Sequence, residues 1–466
     1  MVKFYKYFLL SAAFGLCSQG AKAQLSTNPD KFLGNITTGW QSAMNYNGFT
    51  FSDYWNQVTP ENGTKWGSVQ VNGPSSFSWG GADTPYKYAK QNGLLFKFHC
   101  LVWGSQYPNW IKNLTPADRY KAIEKWMDAV KQRYPDLQMI DVVNEAIEGH
   151  QADTYLMREA LGGDGATGYD WIIRAFEMAY ERWPDAILIY NDFNTFQWQK
   201  TQFIDLVKTL RDAGAPIDAY GCQSHDLNDI GVSTFKSAMD EIQDALKLPM
   251  YCTEYDIDKA DDSQQLQRYK EQIPYMWEQD YVAGVTLWGW FHGSTWVANS
   301  GIIKNKTERP ALTWLREYMA TDAAKKAKSP FPGMVKEASV YVKPASLKPA
   351  LKQPMTITVT ARLRTKTVDH VDLYVGSTLI GTLTEEPFIF EYTPQTTRRY
   401  TLKAVVTATD GTTWERLSSI SPMRTTGIDD LKSDATPARR YNLQGIEVGR
   451  DYKGIVIQNG RKIIQR

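Results

Sequence analysis

Residues 138–149 read QMIDVVNEAIEG. An apolar run from Met139 to Val143, broken by Asp141, closes on Asn144-Glu145 rather than on the glycine, proline or asparagine pairs that usually end a strand. Such an end is either an acidic surface loop or a functional acid delivered to the mouth of a barrel. Seven other runs share the form: FLGNITTGW, GFTFSDYWNQV, LLFKFHCLVW, AILIYNDF, IDAYGCQSH, PMYCTEYDI and VAGVTLWGWF. Amphipathic stretches lie between them. In residues 117–134, ADRYKAIEKWMDAVKQRY, helical spacing puts Tyr120, Ile123, Met127 and Val130 on one face, and Pro135 follows the end. Eight strand-and-helix repeats across residues 30–320 predict an α/β fold, a (β/α)8 TIM barrel. An open doubly wound sheet is the rival, and the lack of a glycine-rich phosphate fingerprint after the first run counts against it.

The rest of the chain is organised differently. Fifteen of the 16 tryptophans precede residue 321, so the barrel region uses them and the tail does not. After ATDAAKKAKSPFPG (residues 320–333), short alternating segments with frequent turns predict a small all-β sandwich of immunoglobulin type. A polar linker and two short β segments, YNLQGIEVG and GIVIQNGRKIIQR, close the chain. The expected divisions are a signal peptide at 1–23, a catalytic barrel at 24–325, a linker and sandwich at 326–425, and a linker with a short β module at 426–466. The leader rests on Lys3 and Lys6, the apolar YFLLSAAFGL and Ala21-Lys22-Ala23, with cleavage expected before Gln24. No later segment is apolar enough for a transmembrane helix. A net charge of +1 gives no reason to expect nucleic acid as a partner. Cleavage leaves Cys100, Cys222 and Cys252, an odd number, so buried thiols are expected while a Cys222–Cys252 bridge stays open.

In a barrel of this kind the C-terminal strand ends converge on one rim. Reading those ends in turn gives Glu61, Asn62 and Lys65; His99, Trp103 and Trp110; Asn144 and Glu145; Tyr190; Gln223 and His225; Glu254 and Asp256; and Trp288, His292 and Trp296. A lone glutamate at a strand end is more often a cap or an ion-pair partner, and a lone histidine more often a satisfied core residue. A rim built of carboxylates, amides and tryptophans around an apolar barrel is instead the composition of a sugar-binding cleft. Glu145 and Glu254, on the fourth and seventh strands, suit a pair of carboxyl groups that divide proton transfer from nucleophilic attack. Three histidines raise the question of zinc, but no HxxxH or HxH spacing supports a metal, and no cofactor is expected.

In order along residues 30–320, VTPENGTKW, HCLVWGSQYPNW, DVVNEAI, YNDFN, GCQSHD, CTEYDID and LWGW resemble the motifs of glycoside hydrolase family ten, the retaining endo-β-1,4-xylanases. The resemblance implies Glu145 as acid/base and Glu254 as nucleophile, with Asn144 on the sugar's 2-hydroxyl. It further implies His225 and Asp256 steadying the nucleophile, and Glu61, Asn62 and Lys65 holding the sugar on the non-reducing side. Gln223 falls near the cleaved bond, with Trp288 and Trp296 as walls of the cleft. The implied partner is a polysaccharide, xylan or a related β-glycan, acted on by a secreted or cell-surface monomer. Where a histidine is usual this chain has Gly104, and where an aspartate is usual it has His292. Gly104 leads to the expectation of extra space at the cleavage site, and both departures motivate the alternative, the same retaining mechanism on another β-linked glycan. The tail resembles the C-terminal sorting module of Bacteroidetes-type exported proteins, and the sandwich a bacterial Ig-like spacer.

Overall fold

The computed structural model describes residues 24–37, 44–46, 48–424, 440–442, 446–449, 452–458 and 461–465. The expected leader at 1–23, the 425–439 linker and parts of the final module lie outside the described residues. Strands β1 (Phe32–Ile36), β2 (Gln57–Thr59), β3 (Leu95–Trp103), β4 (Met139–Asn144), β5 (Ile187–Asp192), β6 (Ala219–Cys222), β7 (Met250–Tyr255) and β8 (Val282–Leu287) pair in chain order into a closed parallel barrel. β8 returns to pair with β1. The second predicted run contributes least. Gly48, at φ +85°, turns Asn45–Tyr46 back on Phe49–Thr50 as a hairpin, and only the last residues of the run reach the barrel.

Helix Pro116–Arg133 shows why the outer ring forms. Thr115 caps it by accepting from the Asp118 N–H at 3.2 Å, and Pro116 stands where its missing N–H is not needed. Ile123, Trp126, Met127 and Val130 are fully buried against the barrel, with Tyr120 at the margin. Burial of each such side chain stabilises by about 1.5–3 kcal/mol.

The barrel interior corrects the expectation of apolar strands. Alternation sends Phe96 and Phe98 outward to the helices and turns Lys97 and His99 inward. Asp141 on the next strand meets both, its Oδ2 lying 2.6 Å from Lys97 Nζ and 2.8 Å from His99 Nδ1, with all three buried. Asp141 is therefore a partner for Lys97 and His99 inside the barrel. Cys100, Cys222 and Cys252 are free and buried, although Cys222 and Cys252 stand side by side on β6 and β7. The bridge left open by the sequence is not formed.

A seven-stranded sandwich follows. β9 (Ala338–Pro344), β10 (Met355–Leu363) and β13 (Phe388–Tyr392) form one antiparallel sheet. β11 (Val368–Val375), β12 (Thr378–Leu383), β14 (Tyr400–Ala408) and β15 (Thr413–Ile420) form the other. Ile357, Val359, Leu373, Leu402 and Val406 are among the alternate residues that fill the space between the sheets. A three-stranded sheet of Arg440–Tyr441, Gly454–Gln458 and Arg461–Gln465 ends the described chain. Among the described residues no helix is long and apolar enough to cross a membrane.

The sandwich is docked on the barrel. Phe331 and Met334 close the N-terminal end of the barrel over Phe32, Met139, Ile187 and Tyr251. Beside this plug, Lys336 Nζ lies 2.6 Å from Asp218 Oδ2 and 3.0 Å from the Ala186 carbonyl, while Tyr341 Oη donates to Asp218 Oδ1 at 2.8 Å. Arg416 donates to the Ile217 carbonyl at 2.6 Å, and Ser418 to the Asp212 carbonyl at 2.6 Å. Gly214, at φ +77°, has no room for a side chain because a Cβ would stand 2.6 Å from the Lys343 Cα.

Candidate active site

At the opposite end of the barrel, the residues after the strands enclose an open cleft of about 610 Å³. Of the predicted site residues, Glu61, Asn62, Lys65, His99, Trp103, Glu145, Gln223, His225, Glu254, Trp288 and Trp296 line it. The rim bends sharply. Gln106 (φ +45°), Glu145 (φ +54°), Asn194 (φ +55°) and Ser224 (φ +72°) all adopt the left-handed backbone that non-glycine residues avoid. At Glu145 this turn ends β4 and carries the side chain into the cleft, and its N–H still bonds the Asn191 carbonyl at 2.9 Å. Strain held by surrounding bonds is common at functional positions.

The two glutamates meet opposite surroundings. Burial lifts the carboxyl of Glu145 above its usual range, the Gln223 hydrogen bond opposes this, and the charges of Glu254 and Asp192 add to it. Its Oε1 accepts from Gln223 Nε2 at 2.8 Å and Asn144 Nδ2 at 3.0 Å, and its Oε2 from Trp103 Nε1 at 2.9 Å. Burial alone would also raise Glu254. The His225 hydrogen bond and the nearby His99, His225 and Lys97 outweigh it and hold Glu254 at about 2. Glu254 Oε1 accepts from Asn191 Nδ2 at 2.8 Å, and His225 Nε2 lies 3.3 Å from Oε2.

His225 is itself fixed from behind. Burial would lower its pKa, but Asp256, 2.8 Å from Nδ1, and Glu254 raise it to about 10, so the ring is an imidazolium with both N–H groups used. Asp256 also accepts from Trp296 Nε1 at 2.8 Å, which fixes an indole that is 59% exposed over the cleft. Lys65 Nζ lies 2.9 Å from Asn62 Oδ1 and 2.6 Å from Gln106 Oε1, and stands over the Trp103 ring at 4.9 Å. Burial lowers the pKa of Lys65 and raises that of Glu61.

Besides Asp256, three predicted residues stand behind the cleft. Asn144 is buried between Glu145 and Asn191, which donates to its Oδ1 at 2.9 Å. Tyr190 Oη donates to Asp192 at 2.5 Å, and Trp110 Nε1 donates to the Gln70 carbonyl at 3.0 Å while its ring meets Trp66 edge-on. His292 is tied by its backbone to Ile303 at 2.8 Å and does not line the cleft. The extra space expected at Gly104 is absent, because Thr154 occupies it. Sequence reasoning passed over Asn191 as a partner of both Asn144 and Glu254, although its strand-end position marked it. It also missed Gln151, which lies in a loop with no periodic signal. Among the described residues no cluster of histidine, cysteine, aspartate and glutamate is arranged to hold a metal ion.

A (β/α)8 barrel presenting one protonatable and one ionised carboxyl in a tryptophan-walled cleft defines a glycoside hydrolase. Residues 24–329 match Glycosyl hydrolase family 10, and residues 344–404 match a Bacterial Ig domain. Endo-1,4-beta-xylanase B of Cellvibrio japonicus is 42% identical over 286 residues, covering 61% of this chain and 45% of that protein. The chain thus spans less than half the length of that relative. Endo-1,4-beta-xylanase 3 of Hypocrea jecorina is 30% identical over 251 residues, covering 52% of this chain and 69% of that protein. Among solved structures, native xylanase 10B from Thermotoga maritima superposes with a TM-score of 0.57 at 20% identity, covering 65% of this chain and 98% of that one. The chain belongs to glycosyl hydrolase family 10.

Proposed function

We propose that the protein is an endo-1,4-β-xylanase that cleaves xylan with retention, by double displacement. The observation that carries this is the opposite state of two carboxyls in one cleft, Glu145 lifted by burial and Glu254 held at about 2 beside His225. Glu254 attacks the anomeric carbon while Glu145 gives its proton to the departing glycosidic oxygen, leaving a glycosyl-enzyme. Glu145, now a carboxylate, takes a proton from water; the water oxygen attacks the same carbon and Glu254 leaves. Glu61, Asn62 and Lys65 bind the sugar on the non-reducing side, Gln223 contacts it near the cleaved bond, and Trp288 and Trp296 flank the chain. Asn144, Tyr190, Asp256 and Trp110 act from behind, by holding Glu145, Asp192, His225 and the cleft wall.

The xylanase names of the relatives support xylan over other β-glycans. Thr154 against Gly104, and His292 away from the cleft, remove the two features that pointed elsewhere. Purified protein is expected to release reducing ends from xylan, with the β-anomer seen first by NMR. Release from galactan or glucan and not from xylan, or initial α-anomer, overturns the reading.

We further propose an exported monomer, with 1–23 removed before Gln24 and 426–466 acting as a sorting module. The order and character of the segments support this. A chain ending at 425 should keep its activity and lose its export, which localisation in the native host reads directly.

A further inference from the structure

The loop after Glu145 is tied down at four points. His150 Nδ1 lies 2.7 Å from Asp192 Oδ1, and its ring stacks on Phe193 at 3.8 Å. Gln151 Nε2 donates to Glu145 Oε2. Asp153 accepts from the Tyr107 hydroxyl and pairs with Lys112 at 3.2 Å. Thr154 packs on Gly104, where a Cβ would stand 2.4 Å from Thr154 Oγ1, 2.7 Å from its nitrogen and 2.8 Å from its Cα. Two of those three atoms are backbone, so no side chain at 104 fits unless the loop moves. Glycine is needed at 104 for space.

The loop therefore adds a fourth N–H to a carboxyl that already receives three. Asn144 and Gln223 donate to Oε1, and Trp103 shares Oε2 with Gln151. The first three come from residues at the barrel's strand ends. Gln151 alone comes from the loop, and it lines the cleft. N–H groups aimed at a carboxyl fix its plane and favour its ionised form.

We propose that Gln151 is a positioning residue for Glu145, held in place by the close approach of Thr154 to Gly104, and that it aims the acid's carboxyl and governs how readily its proton leaves. The proposal rests on Glu145 being the acid/base. Glu254 on β7, Asp192 on β5, Lys65 after β2 and the Cys100 thiol on β3 act on Glu145, and Glu61, His99 and His225 share its cleft. His150 and Asp153 are the titratable groups beside Gln151 on the loop. Trimming Gln151 alters none of them.

The test is kcat/KM against pH for the full chain, with an aryl β-xylobioside of poor leaving group. Gln151→Ala removes a donor from the carboxylate, so the alkaline limb should move to higher pH by about one unit. Gln151→Glu, which places a second carboxyl there, should move it further in the same direction. Gly104→Ala should reproduce the Gln151→Ala shift by displacing the loop, with an unchanged melting temperature in Gln151→Ala showing that the fold is intact. An alkaline limb that stays at the wild-type position in Gln151→Ala overturns the proposal, whether or not Gly104→Ala folds. Glu145→Ala, read on an aryl β-xylobioside of good leaving group that departs without protonation, separates the two readings: it should abolish the alkaline limb, and a limb that persists there overturns the acid/base assignment itself.

Discussion

The two ends of the barrel use buried charge in opposite ways. At the rim, Glu145 and Glu254 are surrounded by donors yet keep a face toward an open cleft. At the other end, the carboxylates of Asp212 and Asp218 are buried and sealed by Arg211, Ser419, Lys336 and Tyr341. A carboxylate closed off by cations fixes one domain on another, whereas one left open to solvent on one side is available for chemistry. Burial is common to both. Access decides the use.

The largest effect should come from the open end. Glu254→Ala is expected to lower kcat by about 10⁴-fold or more on xylan while leaving the melting temperature near wild type, because nucleophile removal abolishes the covalent route. At the closed end the reverse should hold. Lys336→Met leaves Asp218 buried without its cation, and denaturant unfolding should show a loss of about 3–5 kcal/mol with kcat per folded molecule unchanged. If Lys336→Met instead lowers kcat with full stability, the contrast between the two ends fails.

Smaller effects come from the groups that tune the rim. His225→Ala removes a donor and a cation from Glu254, whose pKa should rise from about 2. The nucleophile must be ionised, so the acid limb of kcat/KM should move to higher pH. The same pair affects stability. Glu254, depressed in the fold, contributes stability that is present above its unfolded value of 4.5 and lost as pH falls toward 2. His225, raised to about 10 from 6.5, contributes below pH 6.5 and loses its share as pH rises through 10. Trp296→Ala should have the mildest effect, about a 10-fold rise in KM with little change in kcat, since the exposed ring would meet the sugar by stacking and loss of its bond to Asp256 leaves the His225–Asp256 contact in place.

The barrel was legible because its signal is periodic. Met139–Val143, Ile187–Ile189 and their counterparts are short apolar runs, and each ends on a polar residue that must sit at the rim. The places of Glu145, Glu254 and His225 at the rim could be read for the same reason. Lys97 and Asp141 could not, because a charge inside an apolar run says nothing of a partner on the neighbouring strand. Nor could the sandwich docking, in which Asp218 meets Lys336 across more than a hundred residues. Gly104 was misread as a gap because what fills it, Thr154, comes from a loop whose path only the folded chain defines.

In the proposed mechanism Glu254 forms a glycosyl-enzyme while Glu145 handles the proton. Incubation with a 2-deoxy-2-fluoro-xylobioside carrying a good leaving group, followed by proteolysis and mass spectrometry of the peptides, tests it directly. The expected result is one adduct, on the peptide at Glu254, with inactivation following its formation. An adduct on any other residue, or leaving-group release with no adduct at all, contradicts it.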